Sequence, residues 1–451
     1  MKVLRFNQDA SSCVVSTGVN ELAVYNCDPF GKVLEFNLRE DSSDVQYDMG
    51  AGTPADTSDF IVEMLFSTSL LAVVSSQNLN DRKKLKIVNT KKKSIICELT
   101  HPADIVDVVM NRKRICVLLD NDQIFIYDIS CMKLIETLDL WEEFTSGRSQ
   151  SNIKVGERAS TMINENLQPT NSGPSSNSTS NGAINGNMTN KTTSNERQRS
   201  YSLGGLHKVR SQITLSGDDK SILCYTTYSV NNHKGNNYML NDVVVYDALN
   251  LKPLNYLNAV HRGNIICMHI SFDGKLLATA SEKGTIVRIS KTGVENDFAA
   301  GPSLYKEFRR GTRASHLHQL IFKKDNSYLA CVGSSDTIHI FKLDDDSALL
   351  ESIELDAGSD SGSSLDVFKG KVPHGQLKNF LSKNIKSRIP NQNLHRDYAH
   401  INMEKVVHCI AGFPEEFGNK IYIANDDGLF KTYTLPSRRG VCVLNKTSQF
   451  K

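Results

Sequence analysis

Leu276-Leu277-Ala278-Thr279-Ala280 leads through Ser281-Glu282-Lys283-Gly284-Thr285 into Ile286-Val287-Arg288-Ile289. Two short apolar runs flank a polar gap that contains a glycine, which is how two antiparallel strands joined by a turn read. Working outward, the second run recurs as Leu22-Ala23-Val24-Tyr25, Leu85-Lys86-Ile87-Val88 and Ile124-Phe125-Ile126-Tyr127-Asp128. It returns as Val243-Val244-Val245-Tyr246-Asp247, Ile338-His339-Ile340-Phe341 and Phe430-Lys431-Thr432-Tyr433, making seven copies with the first. Each has a companion such as Tyr328-Leu329-Ala330-Cys331-Val332, and several companions follow a turn such as Asp273-Gly274 or Asp325-Asn326. Uninterrupted copies fall about 40 to 50 residues apart, the spacing of WD40 propeller blades. Helix-period stretches are nearly absent between them, which argues against βαβ units. The expected fold class is all-β: a single seven-bladed β-propeller over residues 1–451, with long disordered or partly helical loop insertions.

Three gaps interrupt the period. Residues 40–57 are rich in Asp, Ser and Gly; residues 146–200 are mostly Ser, Asn, Thr, Gly and Arg. The second has too few large apolar residues to offset the entropy of ordering, so disorder is expected there. Residues 344–398 join an acidic, Ser/Gly-rich half to a basic, apolar half. Within the latter, Leu377, Phe380, Leu381, Ile385 and Ile389 recur at three- and four-residue steps, with Lys378, Lys383, Lys386 and Arg388 between them and Pro390 ending the run. The segment 375–389 therefore reads as a basic amphipathic helix that either lies in a bilayer interface or packs on the propeller's side. Phosphorylation of Ser359, Ser361, Ser363 or Ser364 in the acidic half would add charge and weaken contact with an anionic surface.

The chain is 39% hydrophobic and 23% charged, ordinary for a globular protein, and its formal net charge is +2. That balance gives no global pull toward nucleic acid or an anionic membrane, so any affinity for an anion must be local. No run of 18 apolar residues occurs, and Met1 to Gln8 lacks the apolar core and cleavage site of a secretory signal. The ten cysteines are scattered without a C-x-x-C pair, which reads as reduced, buried thiols in the cytosol. Nucleotide-loop, serine-hydrolase and zinc-protease motifs are absent. His316 and His318 sit two apart but lack a carboxylate or cysteine at ligand spacing. No catalytic residue, metal or cofactor is expected, and the chain reads as a binding protein.

The densest cationic site inside a repeat is Phe308-Arg309-Arg310-Gly311, between the fifth and sixth blades. Consecutive residues of an extended chain point to opposite sides, so Arg309 can face blade five and Arg310 blade six. Each guanidinium presents a planar fork of donors that matches phosphate oxygens. In isolation, Arg-Arg-Gly reads first as two surface arginines capping a tight turn at Gly311.

This tetrapeptide and its surroundings resemble the PROPPIN family, the WD40-like propellers that bind polyphosphoinositides. The resemblance extends to Asn26-Cys27-Asp28-Pro29-Phe30-Gly31, Lys84 to Thr90, Asp107 to Arg114, Ser281 to Arg288 and Thr337 to Leu343, and so spans nearly all of the chain outside the insertions. It implies two phosphate pockets. The first combines Arg309 with His261, Ser281, Lys283, Thr285 and Arg288. The second combines Arg310 with Ser334, Ser335, Thr337 and His339, with His316 standing where related proteins often carry a basic residue. The histidines would strengthen phosphate binding as pH falls toward 6. The family's long blade-six loop inserts into membranes, which here implies insertion of Leu377, Phe380, Leu381 and Ile385. Similar propellers use basic residues on blades two and three to hold an acidic coiled coil of the autophagy conjugation machinery, which points to Arg112, Lys113 and Arg114, with Lys91 to Lys93 beside them. The implied partners are membranes carrying phosphatidylinositol 3-phosphate and its 3,5-bisphosphate, and that coiled coil. The implied location is cytoplasmic and peripheral on vacuole, endosome and pre-autophagosomal membranes, and a monomer is expected. The rival reading is a lipid-independent WD40 interaction hub.

Overall fold

A computed structural model describes the chain except for residues 19, 39–59, 77–78, 146–208, 232–236, 295–303, 344–393 and 416–417. Its strands form seven antiparallel sheets, one per copy of the repeat. Blade one runs through Lys2–Phe6, Ser12–Ser16, Glu21–Cys27 and Phe30–Asn37, each strand pairing with the next. Blades two to five follow in the same order over 60–100, 105–139, 213–257 and 265–309. Blade six spans 317–342 and closes with Ala399–Asn402 after the third insertion; blade seven spans 409–434 and closes with Val443–Gln449. First strands of successive blades contact one another all the way around, including Lys2–Phe6 against Cys409–Gly412, so the sheets close into a ring.

The second and third strands carry the core because both of their faces lie between neighbouring blades. Arg114–Leu119 and Tyr328–Gly333 are buried at every position. The fourth strands are largely exposed, as in Ser94–Thr100, whose residues alternate between exposed and half-buried. This is why the third strands advertised the fold: they are short apolar runs, buried between neighbouring blades, that follow a polar turn. All ten cysteines are free; Cys131 is exposed, Cys97 half-buried and the rest buried.

Strand direction sorts the loops into two sets. Turns after second and fourth strands open at one end of the ring, and turns after first and third strands at the other. The 281–285 turn, the 310–316 connection and the 334–336 turn belong to the first end. The Arg112-Lys113 turn, the Lys91–Lys93 turn and the start of the third insertion belong to the second.

Blades five and six each gain a fifth, parallel strand. Leu394–His395 lies beside Glu307 and Phe308, and Gly440–Val441 lies beside Ala399 and His400. The chain expected to be insertion through residue 398 has thus already rejoined the sheet at Leu394. The expected insertions at 40–57 and 146–200, and the predicted helix 375–389 with Leu377, Phe380, Leu381 and Ile385, lie outside the described residues. A short helix, Leu140–Thr145, precedes the second of these and was not apparent in the periodicity. Among the described residues no helix is long and apolar enough to cross a membrane.

Candidate functional site

The Phe308-Arg309-Arg310-Gly311 segment ends the last strand of blade five, Leu304–Arg309. Phe308 is 2% exposed and stacks on Phe341 of blade six, ring centroids 4.7 Å apart, which pins the junction from inside. Its two neighbours diverge. Arg309 is exposed, opposite Ile286 in the sheet register, whereas Arg310 is only 9% exposed. The Arg310 amide donates to the Thr285 carbonyl at 2.9 Å, and its Nε donates to the Gly284 carbonyl at 2.5 Å. Its Nη2 donates to the Arg313 carbonyl. Gly284 can take this place because its φ of +55° is in the left-handed region, and an added Cβ would lie 2.0 Å from the Ser315 carbonyl oxygen.

Arg310 lines a cavity of about 280 Å³ together with Arg313, Ser315, Ser334, Ser335, Thr337 and His339. Every residue foreseen for the second pocket except His316 is on its wall. His316 is exposed nearby, its amide donating to Ser334 Oγ at 3.2 Å. Four wall residues escaped the sequence reading: Arg313, three positions after Arg310, with Ala314 and Ser315 after it, and Asp336, whose carboxylate accepts from Thr337 Oγ1 at 3.1 Å. The first was legible as a third arginine in one short connection. His339 is not a free donor on both sides, because its Nδ1 donates to Asp397 at 2.9 Å. That bond orients the imidazole and leaves Nε2 for a ligand.

The first predicted set converges on the same end of blade five but is less uniform. Lys283 is exposed with Arg309, and Ser281 and Thr285 are half-buried. Arg288 departs from the expectation: its guanidinium is paired with Glu307 and donates to the Val260 carbonyl at 2.6 Å. A neutralised, half-buried arginine serves the sheet and has little left to offer a phosphate. His261 is 4% exposed, with Nε2 3.0 Å from Thr279 Oγ1. Burial, with Arg288 nearby, lowers its pKa to about 4, so it stays neutral near pH 6 and does not supply the pH-dependent charge expected of it.

At the opposite end of the ring, Arg112 and Lys113 are exposed, as are Lys91 to Lys93. Arg114, expected beside them as a partner contact, is 8% exposed. It donates to the carbonyls of Ala248 and Leu249 at 2.8 and 3.2 Å and to Asp128 at 3.0 Å, tying blade three to blade four. It is a structural cation, because the strand that begins at Arg114 turns this side chain inward.

The two histidines two apart do not share one strand face. The pairing slips between Leu317 and Gln319, and His318 donates from Nε2 to the Cys409 carbonyl at 2.8 Å, with its ring 4.4 Å from that of His408. Among the described residues, no group of three His, Cys, Asp or Glu side chains is placed to hold a metal ion.

Comparison with known proteins places this geometry. The PROPPIN family model matches residues 4–154 and 222–449. Autophagy-related protein 21 of Candida glabrata is 64% identical over 457 residues, covering all of both chains. The protein of that name from Saccharomyces cerevisiae is 43% identical over 504 residues, again covering all of both. A solved structure described as the complex of KlAtg21 with the coiled coil of AgAtg16 superposes with a TM-score of 0.65 at 36% identity, over 100% of this chain and 99% of that one. A seven-bladed ring with this arginine pair at its fifth and sixth blades, matched over most of its length, belongs to the PROPPIN family.

Proposed function

We propose that this chain is a membrane-recruited scaffold of autophagy and related vacuolar delivery. It binds 3-phosphorylated phosphoinositides through two pockets and holds an acidic coiled coil at the other end of the ring. The observation that carries the reading is the divergence of Arg309 and Arg310. One lies in the open at the end of blade five that also carries the exposed Lys283, and the other is built into the wall of a hydroxyl-lined cavity. Arg310, Arg313, the serine and threonine hydroxyls and the free nitrogen of His339 are the donor set an inositol phosphate requires. Each pocket alone would bind a headgroup weakly, and two on one rim multiply their affinity by raising effective concentration.

The third insertion leaves and rejoins the ring beside the same strand. Lys306 Nζ donates to the carbonyl of Leu343 at the insertion's start, and Glu307 and Phe308 pair with Leu394 and His395 at its end. A basic amphipathic segment at 375–389, tethered at both ends to the strand that leads into the arginines, would add apolar insertion to headgroup binding. Arg112 and Lys113 lie at the end of the ring opposite the 310–316 connection, and the related complex with an Atg16 coiled coil makes such a coil the partner of choice. This arrangement is a tether rather than an enzyme.

The test is liposome co-flotation with and without phosphatidylinositol 3-phosphate. Flotation of the wild type should depend on the lipid, and Arg309→Thr/Arg310→Thr should abolish it, with each single change leaving partial binding. Deleting 366–390 should weaken liposome binding and spare soluble headgroup binding. Wild-type flotation by the double variant would instead favour a lipid-independent hub.

A further inference from the structure

Arg112 does not stand free on the surface. Its guanidinium carbon lies 4.1 Å from the centroid of the Phe66 ring. The two residues occupy equivalent turns, after the first strands of blades three and two, at the mouth of the central channel. Phe66 itself is held unusually firmly. Its φ of +48° is left-handed, a conformation that a phenylalanine adopts only under external constraint. The constraint is Gln8 of blade one: its Oε1 accepts the Phe66 amide at 2.7 Å, while its Nε2 donates to Glu63 at 2.8 Å and to the Met110 carbonyl at 3.1 Å. One glutamine thus joins three blades beneath the ring.

The opposite edge is closed as well. Phe66 meets Phe272 of blade five edge-on across the channel mouth, centroids 6.3 Å apart at 76°. Phe272 in turn carries Lys324 Nζ 4.6 Å from its centroid and is crowded by Gly217, where a Cβ would fall 2.5 Å from the ring. A cation, two rings meeting edge to face and a second cation therefore run across the mouth as one chain of contacts. Arg112 is exposed, and among the described residues no carboxylate pairs with it.

We propose that Phe66 is a positioning residue for the acidic partner: it holds the Arg112 guanidinium over its ring so that the donors are presented to a carboxylate without first being ordered. An exposed arginine that must be immobilised on binding loses rotamer entropy, and one held over a ring has already lost it. The partner chemistry is that of an acidic coiled coil, so the inference rests on the scaffold reading above; the role of Phe66 and of the Gln8 clasp goes beyond it.

The experiment measures the dissociation constant of the full chain for the Atg16 coiled coil by fluorescence anisotropy, with melting temperature and phosphoinositide flotation as controls. Phe66→Leu keeps an apolar side chain and loses the ring face, and should weaken binding about two- to five-fold, the scale of an exposed cation–π contact. Phe66→Tyr should restore wild-type affinity. In an Arg112→Gln background, Phe66→Leu should have no further effect, since the two act as one unit. Arg112→Lys, at an exposed position with little folding consequence, keeps the charge but not the guanidinium over the ring and should also bind more weakly than wild type. Equal loss from Phe66→Leu in both backgrounds, or Arg112→Lys binding as wild type, would overturn the positioning role. Wild-type affinity of Arg112→Gln would overturn the partner site as well, which separates the two failures.

Discussion

The Arg310 Nε donates to the carbonyl oxygen of Gly284 at 2.5 Å, so the turn of blade five and the connection into blade six share one buried cation. Gly284 is the residue that makes this possible. Gly284→Ala is expected to destabilise the protein by at least ~1 kcal/mol, because a left-handed φ and a Cβ directed at the Ser315 carbonyl are both unfavourable for alanine. Thermal melting and soluble-headgroup titration should both move, the second through displacement of Arg310.

The two arginines should separate in stability as well as in binding. Arg309→Thr, at an exposed site, is expected to leave the melting temperature unchanged. Arg310→Thr deletes buried bonds to the Gly284 and Arg313 carbonyls and should cost roughly 1–3 kcal/mol. Calorimetry of the two single variants distinguishes this from a pair of equivalent surface arginines.

His261 has a consequence for acid stability. Its folded pKa is lowered to about 4 from an ordinary 6.5, so between these values the unfolded chain binds more protons than the folded one. Stability should therefore fall as pH drops from about 6.5 toward 4. His261→Gln should flatten that part of a melting-temperature profile. Glu63 acts in the opposite sense. Burial raises its carboxyl to about 7 from 4.5, so its contribution is fully present below pH 4.5 and is lost as pH rises through 7.

Charge changes at blade three should divide by burial. Arg112→Glu with Lys113→Glu should abolish binding of the acidic coil and leave melting and lipid flotation intact. Arg114→Ala should lower the melting temperature instead, by roughly 1–3 kcal/mol of stability, since it strips donors from the Ala248 and Leu249 carbonyls and from Asp128. Measuring coil affinity and unfolding on the same samples checks the division.

The fold was open to reading because blade strands are short, local and alternating. Leu22 to Tyr25 and Ile338 to Phe341 lie within third strands, as their pattern required. The divergence of Arg309 and Arg310 was also local, a matter of adjacent residues on an extended chain. What sequence could not display were the partners that claim a side chain from far along the chain. Glu307 takes Arg288 from 19 positions away, and Asp397 takes His339 from 58. The left-handed Phe66 is another case, since its clasp, Gln8, is 58 residues distant. Strand periodicity reports which face a residue occupies and is silent on who meets it there.

Strand Leu304–Arg309 is fastened on every side: Lys306 to Leu343, Glu307 to Arg288 and Leu394, Phe308 to Phe341. Tension on the chain between Leu343 and Leu394 would enter blade six through its third and closing strands and would also reach, through these contacts, the blade-five arm that ends in the two arginines. A load on the blade-six loop would thus be shared between its own blade and the arm that carries Arg309 and Arg310, and the arginine pair would feel part of it.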